Sequence, residues 1–449
     1  MKKLIILLIL LLGCRAYAFD IVYPKKNNVT INAKSTFFIG SSDKPLKING
    51  NDVPLHSSGG FAYVVDLGYG ENTFLIESEY DMQRYVITRP IIKPAKFNSE
   101  FKKFDSVKYF YTVHDNSPMR TTPIDAGINR ASHLQKGILV KVDGEKDGFY
   151  RVNTNSPKYF WIAKTDVKEA ETTDLKPAII LGEDFIETDD CYEFIYHLSK
   201  PVPFEISQDN PLTLKLYNLK GDDVYIKEFP LLRSLSGYDG KYTGNDFIFK
   251  IRKQPKINHK KPLKNIVITV DAGHGGKEYG AIGCLGDKEK DINLEIANYL
   301  KDYLKQSGAK VIMTRTEDSY LGLQERVDIA NDNNANIFIS IHANAVPDGT
   351  DPNKKSGVGV YYYYNQAQNL AQTLLDTIVD ETQLNNDKIH QASFAVVRNT
   401  NTPSVLIEIA YLINPDDNSK LITPEFQKRC AKAIADGLEI YFSNLNEGF

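Results

Sequence analysis

The sequence predicts a multidomain protein in which a C-terminal α/β domain, with a mainly parallel sheet flanked by helices, follows three small all-β domains. Three observations lead there. The chain has 449 residues, too many for one small core, so several domains are expected. From position 19 to about 253, apolar residues come in short runs with period-two alternation, separated by turn dipeptides, which is the pattern of half-buried strands. Beyond about position 264, buried-strand runs alternate with apolar residues at helical spacing, the grammar of an open parallel sheet covered by helices. Composition is that of an ordinary globular protein, with 25% charged and 42% hydrophobic residues. Lys and Arg number 54 against 57 Asp and Glu, and such a balance argues against a nucleic-acid partner.

The first 18 residues form a leader in which Lys2 and Lys3 precede an apolar run from Leu4 to Leu12, then Gly13, Cys14 and the small-residue site Ala16-Tyr17-Ala18. The run is too short to span a bilayer permanently and fits a cleaved secretory signal. An exported, periplasmic or cell-envelope protein is expected, cleaved after Ala18. Leu-Leu-Gly-Cys also resembles a lipoprotein signal, and membrane attachment is expected only if Cys14 is lipidated. Cys191, Cys284 and Cys430 then remain, too few for a disulfide framework or a zinc ribbon. They are read as packing thiols, with a Cys284 to Cys430 bridge as the lesser alternative.

Residues 19–95 hold short strand-like runs around an Asn49-Gly50 pair, a strong hairpin signal, and this stretch looks like a small immunoglobulin-like domain. Arg89 to Lys103, rich in Lys and Pro, reads as a linker. Residues 104–168 place Gly137 to Val142, an Asp147-Gly148 turn, Phe149 to Val152 and Tyr159 to Ile162 in an order similar to bacterial Src-homology-3-like barrels. Residues 175–253 alternate at Leu212, Leu214, Leu216 and again at Phe247 and Phe249, and resemble the amidase N-terminal type of β domain. A basic tether, 254–264, leads into residues 265–445. There Ile266 to Val270, Val311 to Met313, Ile337 to Ile341, Val358 to Tyr363 and Ser404 to Ile409 read as strands. Ile292 to Gln306, Leu323 to Asn331, Gln366 to Glu381 and Pro424 to Phe442 read as helices.

Four islands of this last region carry chemistry: Val-Asp-Ala-Gly-His274-Gly-Gly, Gly-Asp-Lys-Glu289-Lys-Asp-Ile-Asn, Ile-Ser-Ile-His342-Ala-Asn and Val-Leu-Ile-Glu408-Ile-Ala-Tyr. Two imidazoles and one carboxylate are a full protein ligand set for a catalytic zinc with one open position, and a further carboxylate can act as its base. His274, His342 and Glu408 each lie at or just past a strand end, where ligands bind on such sheets. An acid between Ile407 and Ile409 in a buried strand must be paired, protonated or functional. Glycines 273, 275 and 276 allow close backbone approach. They make no phosphate loop, because the third glycine of G-x-G-x-x-G is replaced by Glu278. Asp271 reads equally as a partner fixing the His274 tautomer and as a turn cap.

At these islands the sequence resembles the zinc-dependent N-acetylmuramoyl-L-alanine amidases with the type-3 amidase catalytic domain. The likeness covers about Lys264 to Phe442, including the Ile-Asn that closes the last island and the Phe-Ala-Val-Val-Arg segment before it. It implies one zinc ion held by His274, Glu289 and His342, with Glu408 as the catalytic carboxylate. It also implies peptidoglycan as substrate, cut between the lactyl group of N-acetylmuramic acid and L-alanine of the stem peptide. Some relatives carry a long insertion, between the strand after the second histidine island and the next helix, whose helix plugs the zinc site; here Gly357 to Glu381 passes straight from strand to helix and Val346 to Ser356 is a short polar loop, so an open site is expected. The β domains are expected to localise the enzyme or contact cell-wall or regulatory proteins. The alternatives are a catalytically inactive peptidoglycan-binding or regulatory protein on the same fold, and a zinc peptidase, for which no H-E-x-x-H helix is present. The Tyr361 to Tyr364 run reads as packing, Arg326 as a structural ion-pair member, and His390 as a surface residue. Neither Arg315 nor Arg326 is expected in the site.

Overall fold

In the computed structural model, residues 19–445 are described except 80, 92–99, 172–175, 208–210, 222, 230–235 and 400. The leader with Cys14 and most of the Lys- and Pro-rich linker lie outside the described residues. Among those that are described, no helix is long and apolar enough to cross a membrane.

Residues 19–89 fold into a three-stranded sheet (Phe19–Tyr23, Ser35–Ser42, Gly60–Asp66) facing a five-stranded one. Between them lie Phe38, Phe61, Phe74, Ile76 and Ile87. Asn49 and Gly50 both have positive φ, 49° and 79°, the backbone that a two-residue hairpin requires and that Asn-Gly supplies at low steric cost. A seven-stranded sheet follows between Lys102 and Glu169, then four- and three-stranded sheets between Ile180 and Arg252. One apolar cluster runs continuously from Phe110, Val140 and Phe160 into Tyr217, Phe247 and Phe249. The last two strand sets therefore share a core. The cysteines Cys191, Cys284 and Cys430 are free and buried, so the bridge between Cys284 and Cys430 is not formed.

The C-terminal unit is built on a six-stranded sheet in the order Lys310–Met313, Val267–Ala272, Ile337–Asn344, Ser404–Tyr411, Val358–Tyr362, Asn386–Gln391. Every neighbouring pair is parallel except Ser404–Tyr411 with Val358–Tyr362. Five helices accompany it: α1 (Glu289–Gln306), α2 (Leu323–Asp332), α3 (Gln368–Thr382), α4 (Pro415–Leu421) and α5 (Pro424–Leu445). The strand Asn386–Gln391 and the short α4 were not anticipated. The former is polar (Asn-Asp-Lys-Ile-His-Gln) and exposed on alternate positions, as an edge strand can be. The latter begins at Pro415, with the Asn414 side chain accepting from the backbone N–H groups of Asp416 and Asp417, a capping signal.

Period-two alternation assigns the two faces of this sheet. Ile268, Val270, Ile339, Ile341, Val405, Ile407 and Ile409 pack against α1, α3 and α5 in the largest apolar cluster. The opposite face presents Val267, Phe338 and Leu406, covered by Val327 and Ala330 of α2 and by Val396. Farther along the strands that same face carries Asp271, Ser340, His342 and Glu408, where the covering layer ends. The 19–89 unit leans on the loop after the third strand, with the Tyr23 hydroxyl donating to Asp348 Oδ1 at 2.9 Å and Asn353 Nδ2 donating to the Ala62 carbonyl at 3.0 Å.

Candidate metal centre

The chain leaves the strand Val267–Ala272 through a turn that only small residues tolerate. His274 has φ of 60° and Gly275 of 136°, and a non-glycine residue in the left-handed region stores strain of about 1–3 kcal/mol. A Cβ on Gly273 would stand 2.2 Å from His342 Nε2, and one on Gly275 would stand 2.1 Å from the Ser319 carbonyl oxygen. Two buried arginines hold the turn. Arg315 Nε donates to the Ala272 carbonyl at 2.8 Å and its Nη2 to the Gly273 carbonyl at 3.1 Å. Arg326 Nη1 donates to the Ala272 carbonyl and its Nη2 to the His274 carbonyl, both at 2.9 Å.

Arg326 also pairs with Asp271 Oδ1 at 2.6 Å. Asp271 is fully buried and accepts in addition from Thr314 Oγ1 at 2.7 Å and Ser340 Oγ at 2.6 Å. Both readings of Asp271 are thereby corrected: it anchors Arg326 instead of fixing the His274 ring or capping a turn. Arg326 is the ion-pair member anticipated, with its partner on the strand Val267–Ala272.

Three of the four island residues bring their donor atoms together. Glu289 is the first residue of α1, and its Oε1 lies 3.2 Å from His274 Nε2 and 2.8 Å from His342 Nδ1. The two imidazoles meet edge to face with ring centroids 4.9 Å apart. One donor atom from each of His274, Glu289 and His342 lies within 4.8 Å of the others. The carboxylate is fixed by backbone N–H donors, Ala281 to Oε2 at 2.7 Å and Ala343 to Oε1 at 3.2 Å. Burial alone would raise the pKa of Glu289, but hydrogen bonds and charge from His342 and His274 outweigh it and hold the carboxyl well below its usual range. Burial likewise lowers the pKa of His342, yet Glu289 more than compensates and the net shift is upward. Two ring nitrogens converging with one ionised carboxylate oxygen is a donor set that fits a divalent ion favouring N and O ligands.

Glu408 arrives by register. In the parallel pairing of Ile337–Asn344 with Ser404–Tyr411, His342 stands opposite Glu408, so both project from the same face on adjacent strands. Its Oε2 is buried without a hydrogen-bond partner among the described residues, although the residue as a whole is partly exposed. Burial, tempered by His342 and reinforced by Glu289, pushes its pKa up to about 7.

The sign of the resulting pH dependence is definite. A carboxyl with pKa near 4.5 unfolded and about 7 folded binds more protons in the native state between those values, so stability falls as pH rises through this window and the full penalty is present above it. Chelator-treated Glu408→Gln should therefore be more stable than chelator-treated wild type at pH 8, by an amount on the order of 2 to 3 kcal/mol, and equal to it at pH 4.5. Urea denaturation of both proteins at the two pH values measures the difference; a gap that does not change with pH would contradict the buried ionisation.

The sequence reading missed Asn293, whose Nδ2 donates to the Gly273 carbonyl at 3.2 Å and to Glu289 Oε1 at 3.4 Å. Its signal was present, because Asn293 is four residues beyond Glu289 on the same helical face. His390 is partly exposed and stacks on Tyr361 with ring centroids 4.8 Å apart. Tyr362 and Tyr363 are buried packing residues.

Fold and site together define an α/β protein in which two imidazoles and a carboxylate that could hold one metal ion lie beside an acid, Glu408, whose Oε2 has no hydrogen-bond partner among the described residues. Residues 268–440 match the family profile described as N-acetylmuramoyl-L-alanine amidase, and the chain belongs to that family. Among its relatives, the uncharacterized protein YqiI of Bacillus subtilis (strain 168) is 35% identical over 191 residues, spanning 42% of this chain and 90% of that protein. A protein of Staphylococcus epidermidis named probable cell wall amidase LytH is 38% identical over 185 residues, 41% of this chain and 60% of its own length. The solved N-acetylmuramoyl-L-alanine amidase AmiC2 of Nostoc punctiforme is 36% identical, covering 41% of this chain and 98% of that one, with a TM-score of 0.38.

Proposed function

We propose that this chain is a zinc-dependent N-acetylmuramoyl-L-alanine amidase that cleaves peptidoglycan between the lactyl group of N-acetylmuramic acid and L-alanine of the stem peptide. The observation that carries the reading is the convergence of His274, Glu289 and His342 with Glu408 in register beside them. His274, His342 and Glu289 would hold a zinc ion through ring nitrogens and a carboxylate oxygen, and such an ion would supply Lewis acidity toward the amide carbonyl and lower the pKa of water. Glu408, with a pKa near neutrality, takes a proton from the attacking water at its unpartnered oxygen and returns it to the leaving amine of L-alanine. A group poised near the working pH can both accept and donate. The missing Cβ at Gly273 leaves room for the His342 ring, and that at Gly275 for the Ser319 carbonyl.

Export to the periplasm or cell envelope is part of the same reading, as is division of the preceding chain into 19–95, 104–168 and 175–253 units that position the catalytic domain on the wall. The short connection from Val358–Tyr362 to α3, a single turn at Asn365–Ala367, supports a site that needs no unplugging partner.

Mass spectrometry of purified peptidoglycan treated with the mature protein is expected to show glycans with intact lactyl carboxyls and released peptides beginning with L-alanine. Chelator should abolish both products and one equivalent of zinc restore them. Cleavage inside the stem peptide, or turnover indifferent to chelator, would refute the assignment.

A further inference from the structure

Away from the metal centre, a cavity of about 840 Å³ lies where three strand sets and the catalytic unit meet, between the strand Arg130–Leu134, the segment 204–207, the hairpin around Asp239 and the covering layer of the main sheet. Its lining includes a basic end, with Arg130 and His133 from the seven-stranded sheet and Arg398 from the segment that follows Phe394. Glu205, Asp239, Lys158 and Lys241 also line it, as do Tyr363 and Tyr364, which stand edge to face with ring centroids 4.7 Å apart.

The basic end is unbalanced. Arg130 and Arg398 are half-buried, and no ion pair joins either guanidinium to a carboxylate among the described residues. The acid nearest in effect, Asp125, is already paired with Arg120. Arg130 spends one nitrogen on His133 Nε2 at 3.4 Å, and Arg398 spends Nη1 on the Ser393 side chain at 3.2 Å and on the Ser393 carbonyl. Burial, followed by the charges of Arg130, Arg398 and Arg120, pushes His133 down to about 4, so at neutral pH this ring adds no charge. Burial first, and then Arg398 and Arg120, also depress Arg130. Two half-buried guanidiniums of like sign with free donors repel one another until an anion arrives, and the planar fork of arginine suits a carboxylate.

We infer that this cavity is a binding site for a peptide carrying a free carboxylate, namely the stem peptide of the wall polymer, with the carboxylate on Arg130 and Arg398. The inference rests on the proposed action on peptidoglycan. Glu205 is already paired with Lys158 and Lys215, so the charge left for a ligand to meet is that of Arg130 and Arg398, whose planar forks suit a carboxylate. Phe394, next to the lining residue Ala395, packs edge to face on Tyr361 at 5.3 Å, and neither His274, Glu289, His342 nor Glu408 lines the cavity, so a stem held here would be a different one from the stem being cut.

Titration calorimetry of the full chain with a synthetic stem tetrapeptide, its C-terminal amide and a polyphosphate provides the test. Wild type should bind the free acid at least tenfold more tightly than the amide, a comparison that needs no variant. Arg130→Gln/Arg398→Gln should lose at least tenfold in affinity for the acid while its turnover of a short soluble muropeptide stays within about twofold. Equal affinity for acid and amide, unchanged binding by the double variant, or preference for polyphosphate would overturn the inference. If wild type binds without discrimination yet hydrolyses the muropeptide, only this inference fails; absence of hydrolysis in wild type overturns the amidase reading and the inference built on it.

Discussion

Glu408→Gln is expected to lower kcat for amide hydrolysis by on the order of 10³-fold, with KM and bound zinc nearly unchanged. The reason is local. Glutamine keeps the shape and strand position of the residue, and because Oε2 has no hydrogen-bond partner among the described residues, no bond there is lost with the charge. Under the proposed mechanism, what disappears is the exchange of a proton with water and amine. Steady-state kinetics with parallel metal analysis separates this from collapse of the centre. A variant within tenfold of wild type would place the base elsewhere, while a variant that loses zinc would show that Glu408 belongs to the ligand set. Glu408→Asp, shorter by one methylene, should recover only a small part of the rate, since proton transfer depends on reach. Together with the gain in stability expected for metal-free Glu408→Gln at pH 8, this result would make one residue both a cost to the fold and a requirement of the chemistry, as strained functional groups commonly are.

How far the site was legible in the sequence depends on which contacts set each residue. His342 and Glu408 stood out because an ionisable group inside a run such as Ile-Ser-Ile-His or Leu-Ile-Glu-Ile conflicts with burial. Period two then puts both on one face, and parallel register places them opposite each other. Glu289 was legible only by resemblance, because it sits in a charged stretch, Lys-Glu-Lys-Asp, where nothing local separates it from a solvated helix start. The clamp that Arg315 and Arg326 place on the histidine turn was hidden for a similar reason. Their partners are backbone carbonyls at 272–274, and a carbonyl has no identity in a sequence. Asp271 looked like a neighbour of His274 because it is near in sequence, but alternation sends its side chain to Ser340 across the sheet. The shared core of the middle strand sets was equally invisible, since each alternating strand declares an apolar face without naming what covers it.

Arg326→Met should be the most damaging single change outside the metal ligands, destabilising the protein by about 3–5 kcal/mol, the usual consequence of removing one partner from a buried ion pair. Methionine fills much of the volume, so the cost is electrostatic. Asp271, fully buried, would keep only the Thr314 and Ser340 hydroxyls, and the His274 carbonyl would lose the donor that helps hold its left-handed turn. Zinc affinity should fall by about 10–100-fold as well, as happens when residues that orient metal ligands are removed. Denaturant unfolding of chelated protein reads the first effect and a competitive zinc titration the second. A stability loss under about 1 kcal/mol would mean that the pair is solvated or the turn self-supporting. The companion Asp271→Asn/Arg326→Met should recover much of the stability, because no unpaired charge is left buried. It should not recover zinc affinity, because the carbonyl clamp on His274 is still missing. This divergence separates the two roles of Arg326, neutralising Asp271 and fixing the histidine turn.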